Sequence, residues 1–367
     1  MPREIFLDQL TDTWEAVQMA VERLEAGETV CLPDESGWMV VGLAIQEQTS
    51  LRLAQLSHGS PSTSAVIVPH PAVVNDYVTD TSRLFSKLAS RCWPGPVILR
   101  GGAGQSEGLA RQWPTASQEW AQTPAGKAFY CPSDAFTKQV LSAVSSPALG
   151  VVGQGAPDPA RFDAPHLELI FRSSRTRFSD LPTVVSAQGE MVEVESPGAV
   201  SDLLLSRLAG DVFLFICTGN TCRSPMAEAI FRHLLAERID CHEDELIDRG
   251  YIVLSAGLSA IKGAPASPEA VKLLRKEGVD LSEHNSQPAS EELLFRSDRI
   301  LTMTRGHRDA VLSAYPELGD KVRLLSPENK DVPDPIGAGM DEYIRCKDTI
   351  TRHLQHLLER VVRPEKR

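Results

Sequence analysis

The chain has 367 residues, 42% of them hydrophobic and 23% charged, and a net charge of −12. That length suits two domains of ordinary size, and no run approaches the roughly eighteen apolar residues of a membrane helix. The acidic balance argues against broad binding to nucleic acid or anionic membranes, which needs a positive surface.

The excess acid is mostly N-terminal: residues 1–208 carry 15 Lys and Arg against 23 Asp and Glu. The opening MPREIFLDQL lacks the apolar run and small-residue site of a secretory leader, which predicts a cytoplasmic protein. Seven scattered cysteines (Cys31, Cys92, Cys131, Cys217, Cys222, Cys241 and Cys346) suit a reducing compartment better than a disulfide framework.

Within 11–26, Trp14, Val17, Ala20, Val21 and Leu24 recur at helical spacing and stop at Gly27. Strand-like runs follow at TVCL (29–32), SAVIVP (64–69), VILR (97–100), LGVVG (149–153), LELIF (167–171) and TVVSA (183–187), interleaved with helical stretches. The alternation predicts a mixed α/β domain. SPGAVSDLLLSRLAG (196–210) reads as a turn and a helix closed by Gly210, and DVFLFI at once begins a new buried strand. The boundary is therefore tight, separating domains at 1–208 and 211–367, and so short a connector predicts a fairly fixed mutual orientation.

From there the pattern is strand (212–216), helix (225–237), strand (251–254), helix (267–277), strand (299–303), helix (305–314), loop (328–340) and a final helix (341–361). Strands separated by helices imply a parallel sheet with its ligand at the carboxyl ends of the strands.

The first such end is FICTGNTCRS (215–224). A strand-to-helix loop presents unpaired amides and a helix dipole to an anion. Gly219 and Asn220 tolerate unusual backbone angles, Pro225 fits a first helical turn, and Arg223 offers a planar fork for two phosphate oxygens. Cys217, at the strand end, is then placed as a nucleophile, favoured as the thiolate by amide dipoles and the arginine, with Ser224 hydrogen-bonded to the sulfur. A lone C-x4-C lacks the second ligand pair of a zinc site, so neither metal nor cofactor is expected. The bare spacing of cysteine and arginine remains weak, and an inert buried cysteine is its bland counterpart.

The larger block VFLFICTGNTCRSPMAEAIFRHLL, with LSAG (254–257), EELLFRSDRILTMT (291–304) and DVPDPIGAGMDEYIRCKDTI (331–350), resembles the low-molecular-weight protein tyrosine phosphatases, and within them the bacterial protein-arginine phosphatase branch. The resemblance implies a Rossmann-like domain acting on phosphorylated proteins through a cysteinyl phosphate. Its phosphate loop would be Cys217, Thr218, Gly219, Asn220, Thr221, Cys222, Arg223 and Ser224. Asp334, before Pro335, would protonate the leaving group and then deprotonate water, with Asp331 a nearby competitor. Thr221 stands where tyrosine-specific members usually carry a larger aliphatic residue, and Ile336, Gly337, Ala338 and Gly339 stand where aromatic walls would stack on a phosphotyrosine ring. These departures point to phosphoarginine, with Thr221, Asp334 and Ile336 as specificity elements and phosphotyrosine as the competing substrate. Cys222 is the expected redox partner of Cys217. Arsenate reductases of similar fold need further cysteines before the Asp-Pro loop, and none lies between 242 and 345.

Residues 10–208 resemble the YrdC-like threonylcarbamoyl-AMP synthase family through AVERLEAGETVCLP (20–33), SRCWPGPVILR (90–100) and PTVVSAQGEMVEVESPGAVSDLLL (182–205). The family's basic K-x-R-P segment reads Ser57-His58-Gly59-Ser60 here, its S-T-S-A-N loop reads Gly150-Val151-Val152-Gly153-Gln154, and its P-T-x-T-x-Y-G-L segment is the acidic PDESGWMVVGL (33–43). Without lysine and arginine, converging negative charges lack compensation, which predicts a domain without synthase activity. Its expected roles are substrate recognition, binding of a nucleotide or RNA-related ligand, or scaffolding; His58, Trp38 and Arg91 are candidate pocket residues, with surface or core placement as the favoured alternative for each. For the chain as a whole, a tRNA-modification synthase carrying an accessory phosphatase and a non-catalytic binding protein compete with the phosphatase reading.

Overall fold

The computed structural model describes residues 2–56, 63–78, 80–102, 108–120, 122–123, 126–155, 167–189 and 192–361. The chain forms two compact units, Met1–Ala209 and Gly210–Arg367.

The first unit is built on strands β1 (Arg3–Phe6), β2 (Thr29–Asp34), β3 (Gly37–Leu43), β4 (Ser64–Ile67), β5 (Val97–Gly101), β6 (Gln122–Thr123), β7 (Gly126–Tyr130), β8 (Ala148–Gln154), β9 (Leu167–Arg172), β10 (Thr183–Ser186) and β11 (Glu193–Ser196). They form one mixed sheet in the order β1-β9-β2-β3-β8-β4-β7-β5-β10-β11, with β6 against β7. Its helices are α1 (Trp14–Glu25), α2 (Thr49–Leu56), α3 (Arg83–Cys92), α4 (Thr115–Trp120), α5 (Ala135–Ala143) and α6 (Asp202–Ala209).

Both faces of this sheet are covered, because successive residues enter two different cores. Val40, Val66 and Phe129 pack with Leu53, Phe85, Leu88 and Leu205; Val41, Ile67 and Tyr130 pack with Val17, Leu24, Phe136 and Val140. Such strands read as continuous apolar runs rather than as alternation. Sequence periodicity nevertheless misses β3 and β7, whose runs are interrupted by glycine and lysine. Ala16, Val17, Ala20 and Leu24 form the buried stripe of α1, while Trp14, expected on it, is 62% exposed at the first turn.

The second unit has strands β12 (Asp211–Cys217), β13 (Tyr251–Gly257), β14 (Arg299–Thr302) and β15 (Val322–Leu324), in the order β13-β12-β14-β15. Every pairing is parallel. The helices are α7 (Arg223–Arg238), α8 (Pro268–Arg275), α9 (Glu291–Arg296), α10 (Arg305–Ala314) and α11 (Met340–Val361). Along β12, Phe213, Phe215 and Cys217 enter the core with Phe231 of α7, Leu274 of α8 and Ile350 of α11. Leu214 and Ile216 enter the opposite core with Leu294 of α9 and Val311 of α10. The period of two therefore sets Cys217, the last residue of the strand, on the face covered by α7 and α11. The six-residue α9 and three-residue β15 are too short for the periodicity to reveal. No described helix is long and apolar enough to cross a membrane.

Candidate active site

The segment between β12 and α7 turns sharply, and Asn220 takes the left-handed conformation (φ 55°) that asparagine tolerates better than most residues. Gly219, expected to share that role, is not in the left-handed region; a Cβ there would meet only Thr221 Oγ1, at 3.7 Å. Gly257 is the glycine that the loop requires. A Cβ on it would lie 2.5 Å from Thr218 O and 2.8 Å from Asn220 N, so only glycine lets the end of β13 approach this closely. The amides of Leu258 and Ser259 donate to Cys217 O (3.0 Å) and Thr218 O (2.9 Å), fastening the two strand ends together.

Asn220 is completely buried and fully engaged. Its Nδ2 donates to Ser224 Oγ (3.0 Å) and Ser255 Oγ (2.8 Å), its Oδ1 accepts from the Gln287 amide (2.8 Å), and its carbonyl accepts from His284 Nε2 (2.8 Å). Ser255 in turn donates to Glu228 Oε2 at 2.5 Å. Burial pushes the Glu228 carboxyl up, against the opposing pull of the Ser255 hydrogen bond. Burial also lowers the His284 pKa, although its bond to Asn220 acts the other way.

The Cys217 sulfur is buried, accepts from the Asn220 amide (3.2 Å) and lies 3.0 Å from Ser224 Oγ. That hydroxyl already accepts from Asn220 Nδ2 and has one proton to give. The sulfur lies nearer than its other acceptor, Ala256 O at 3.3 Å. The arrangement can thus steady a sulfur anion and, later, a departing one.

Arg223, the first residue of α7 and 5% exposed, donates from Nη1 to Val332 O (3.3 Å) and from Nη2 to Asp334. Asp331, the competing carboxylate, accepts instead from the amide and Nε of Arg305 (2.8 and 3.3 Å), bonds that hold its pKa below the usual carboxylate range. The structure therefore turns Asp334, not Asp331, toward Arg223. Ile336 projects 67% exposed from the same loop.

Three further side chains reach the loop from distant elements. His307 places Nε2 2.9 Å from Thr218 Oγ1 and Nδ1 2.9 Å from Thr304 Oγ1. Burial, then Arg223, lowers its pKa. Tyr343 of α11 brings its hydroxyl to 3.3 Å from Cys222 Sγ, and burial followed by that contact pushes the phenol up to about 12. The third is His284. None was singled out from the sequence, because each lies in a separate element and is brought in by tertiary packing; Tyr343 does fall within the recognised segment 331–350, as Ser255 and Gly257 fall within LSAG.

In the first unit, Trp38 lies flat against Gly153, where a Cβ would fall 2.0 Å from the indole, and Arg91 Nη1 donates to Leu208 O at 2.7 Å. Both are packing roles, in keeping with the core placement that is the alternative to lining a pocket. His58 and the rest of 57–60 lie outside the described residues.

Residues 212–367 match the family described as low molecular weight phosphotyrosine protein phosphatase. A protein-arginine-phosphatase of Bacillus subtilis is 36% identical over 152 residues, which are 40% of this chain and 95% of that protein. A probable low molecular weight protein-tyrosine-phosphatase, EpsP, of Ralstonia nicotianae is 33% identical over 149 residues, 40% of this chain and 94% of its own length. Among solved structures, the YwlE arginine phosphatase from Geobacillus stearothermophilus is 32% identical, covering 41% of this chain and 92% of that one with a TM-score of 0.36.

Proposed function

We propose, for a chain that belongs to the low molecular weight phosphotyrosine protein phosphatase family and is a cysteine-dependent phosphatase, that its substrates are cytoplasmic proteins phosphorylated on arginine. In the first step Cys217 Sγ attacks phosphorus as the P–N bond breaks, and Asp334 gives its proton to the leaving guanidino nitrogen. Arg223 and the amides of residues 218–224 hold the phosphoryl oxygens, whose charge spreads in the transition state. In the second, Asp334 takes a proton from water as the water oxygen attacks phosphorus; the S–P bond breaks, releasing inorganic phosphate and the Cys217 thiolate.

The observation that carries the choice of arginine is the character of the walls. Thr221 in the loop and Ile336 beside Asp334 supply no aromatic surface for a phenyl ring, whereas a planar phosphoguanidinium can pair with the Asp334 carboxylate. Relatives named for arginine and for tyrosine are comparably similar, so the substrate is a matter for measurement. Initial rates on a phosphoarginine protein and a phosphotyrosine peptide, with Cys217→Ser as the blank, should favour phosphoarginine strongly. Preference for phosphotyrosine would discard the assignment and leave the chemistry standing.

For the first unit we infer a YrdC-like domain without synthase activity, which leaves a nucleotide or RNA-related ligand as its candidate partner. The support is chemical: the hairpin of β2 and β3 buries Asp34 and Glu35 where a polyphosphate site would need cations, and burial followed by the Glu35 charge pushes the Asp34 carboxyl well up. The full chain given ATP, threonine and bicarbonate should form no threonylcarbamoyl-AMP; product would overturn this reading.

A further inference from the structure

We propose that His307 is the positioning residue that sets the phosphate loop against the acid-bearing segment, by holding Thr218 through one ring nitrogen and Thr304 through the other. The proposal rests on reading residues 217–224 as the phosphate loop.

Thr218 follows Cys217 and is exposed, and its hydroxyl bonds to the His307 ring. His307 is 8% exposed and has both nitrogens at 2.9 Å from a threonine oxygen. Thr304 is the N-cap of α10 and already accepts from the His307 amide (3.2 Å). The start of α10 is in turn the anchor of the acid segment. Arg305 N donates to Asp331 (2.8 Å), the Val332 amide donates to Met303 O (2.8 Å), and Val332 O accepts from Arg223 Nη1 (3.3 Å). The path from Thr218 through His307 and α10 to residues 331–334 therefore returns to Arg223, and His307 is the side chain that closes it by bridging two hydroxyls.

A neutral imidazole donates from one nitrogen and accepts at the other, so the Thr304 and Thr218 hydroxyl orientations are coupled through a rigid ring. The charged groups that face the ring are Arg223, Asp331 and Asp334. Burial and Arg223 disfavour the imidazolium in the free enzyme, the two carboxylates oppose them, and a dianion beside Arg223 would tip the balance back. By linkage, anion binding should then strengthen as pH falls through the ordinary histidine range, about 6.5.

The test uses the full chain with p-nitrophenyl phosphate as substrate and sulfate, whose charge is constant above about pH 3, as competitive inhibitor. Asparagine can replace Nδ1 toward Thr304 but is too short to reach Thr218; glutamine can reach Thr218. His307→Asn should lose about tenfold in kcat with KM nearly unchanged, as expected for one hydrogen bond made more fully in the transition state, and His307→Gln should retain most of the activity. As pH falls below about 6.5 the sulfate inhibition constant should tighten more steeply in the wild type than in His307→Gln. Equal kcat in the two variants, or equal pH slopes for sulfate, would overturn the proposal. If His307→Asn fails to fold, the slopes alone decide. A wild type that neither hydrolyses the ester nor binds sulfate would remove the phosphatase reading first, and this proposal with it.

Discussion

Arg223 donates from Nη2 to Oδ2 of Asp334, joining the first residue of α7 to a loop more than a hundred residues later in the chain. The arginine of this pair is buried and the aspartate side chain is 41% exposed, so the carboxylate is the member free to move. A phosphoryl group entering the loop competes with Asp334 for the guanidinium, and displacing it would send the carboxylate toward the leaving group. Asp334→Asn should therefore do two opposite things: lower kcat by roughly a hundredfold or more, as loss of a general acid does, and tighten sulfate binding, since a neutral amide neither competes for Arg223 nor repels the dianion. The fall in kcat should be far larger on a poor leaving group than on p-nitrophenolate. Unchanged kcat would mean that another group carries the proton.

Asn220 combines a left-handed backbone with a cluster of buried polar bonds. Asn220→Ala leaves a Cβ-bearing residue in the left-handed region and removes bonds to Ser224, Ser255 and Gln287, which should destabilise the second unit by about 2–4 kcal/mol. Asn220→Gly relieves the backbone alone and should recover about 1 kcal/mol of this. Hydrogen exchange over residues 211–361 is the proper probe, because all five tryptophans lie in the first unit and fluorescence would follow that unit instead. Equal stability of the two variants would show that the backbone term is absent.

How far the sequence could be read depended on whether structure was encoded locally. The alternation of strands and helices in the second half foretold its parallel sheet, and the block around Cys217 pointed to the loop between β12 and α7 as the candidate phosphate site, because those residues are contiguous. What stayed hidden came mostly from elsewhere in the chain: His307, His284 and Tyr343 each touch the site from a different helix or loop, and no spacing connects them to residues 217–224, while Glu228, one turn beyond Ser224 on α7, meets the network through Ser255. The left-handed turn was expected across Gly219 and Asn220 and falls on Asn220 alone, because the buried amide side chain, rather than conformational freedom, fixes that corner. In the first half, strands buried on both faces show as continuous apolar runs, and β3 and β7 escaped notice because glycine and lysine interrupt theirs.

His284 should make the stability of the second unit pH-dependent with a definite sign. Burial lowers its pKa in the folded protein, against the weaker effect of its bond to Asn220 O. Between that lowered value and about 6.5 the unfolded chain binds more protons than the folded one, so stability rises with pH across the window, is complete above it and is lost as pH falls. Relative to His284→Gln, which can keep a donor to Asn220 O without titrating, the wild type should gain protection from exchange as pH rises toward about 6.5 and level off above it. A flat difference would place the ring in water rather than in the packed position found here. A difference of opposite sign would mean that the hydrogen bond outweighs burial.

Cys222 carries the last expectation, a reversible defence of the nucleophile. It is buried at the N-cap of α7 with its sulfur on the Tyr343 hydroxyl, five residues after Cys217, and both cysteines are reduced in the structure. Hydrogen peroxide would convert the Cys217 thiolate to a sulfenic acid, which condenses with the Cys222 thiol to give a disulfide and water; a dithiol then restores both sulfurs. The hydroxyl of Tyr343, 3.3 Å from the Cys222 sulfur, competes with bond formation for that sulfur. Wild type treated with peroxide should accordingly recover most of its activity with dithiothreitol. Cys222→Ser should be active beforehand and largely unrecoverable afterwards, its Cys217 having passed on to sulfinic acid. Tyr343→Phe, which loses the hydroxyl contact but keeps the ring, should close the disulfide faster than the wild type. Equal recovery in wild type and Cys222→Ser, followed by mass spectrometry of the Cys217 peptide, would leave Cys222 a packing residue and nothing more.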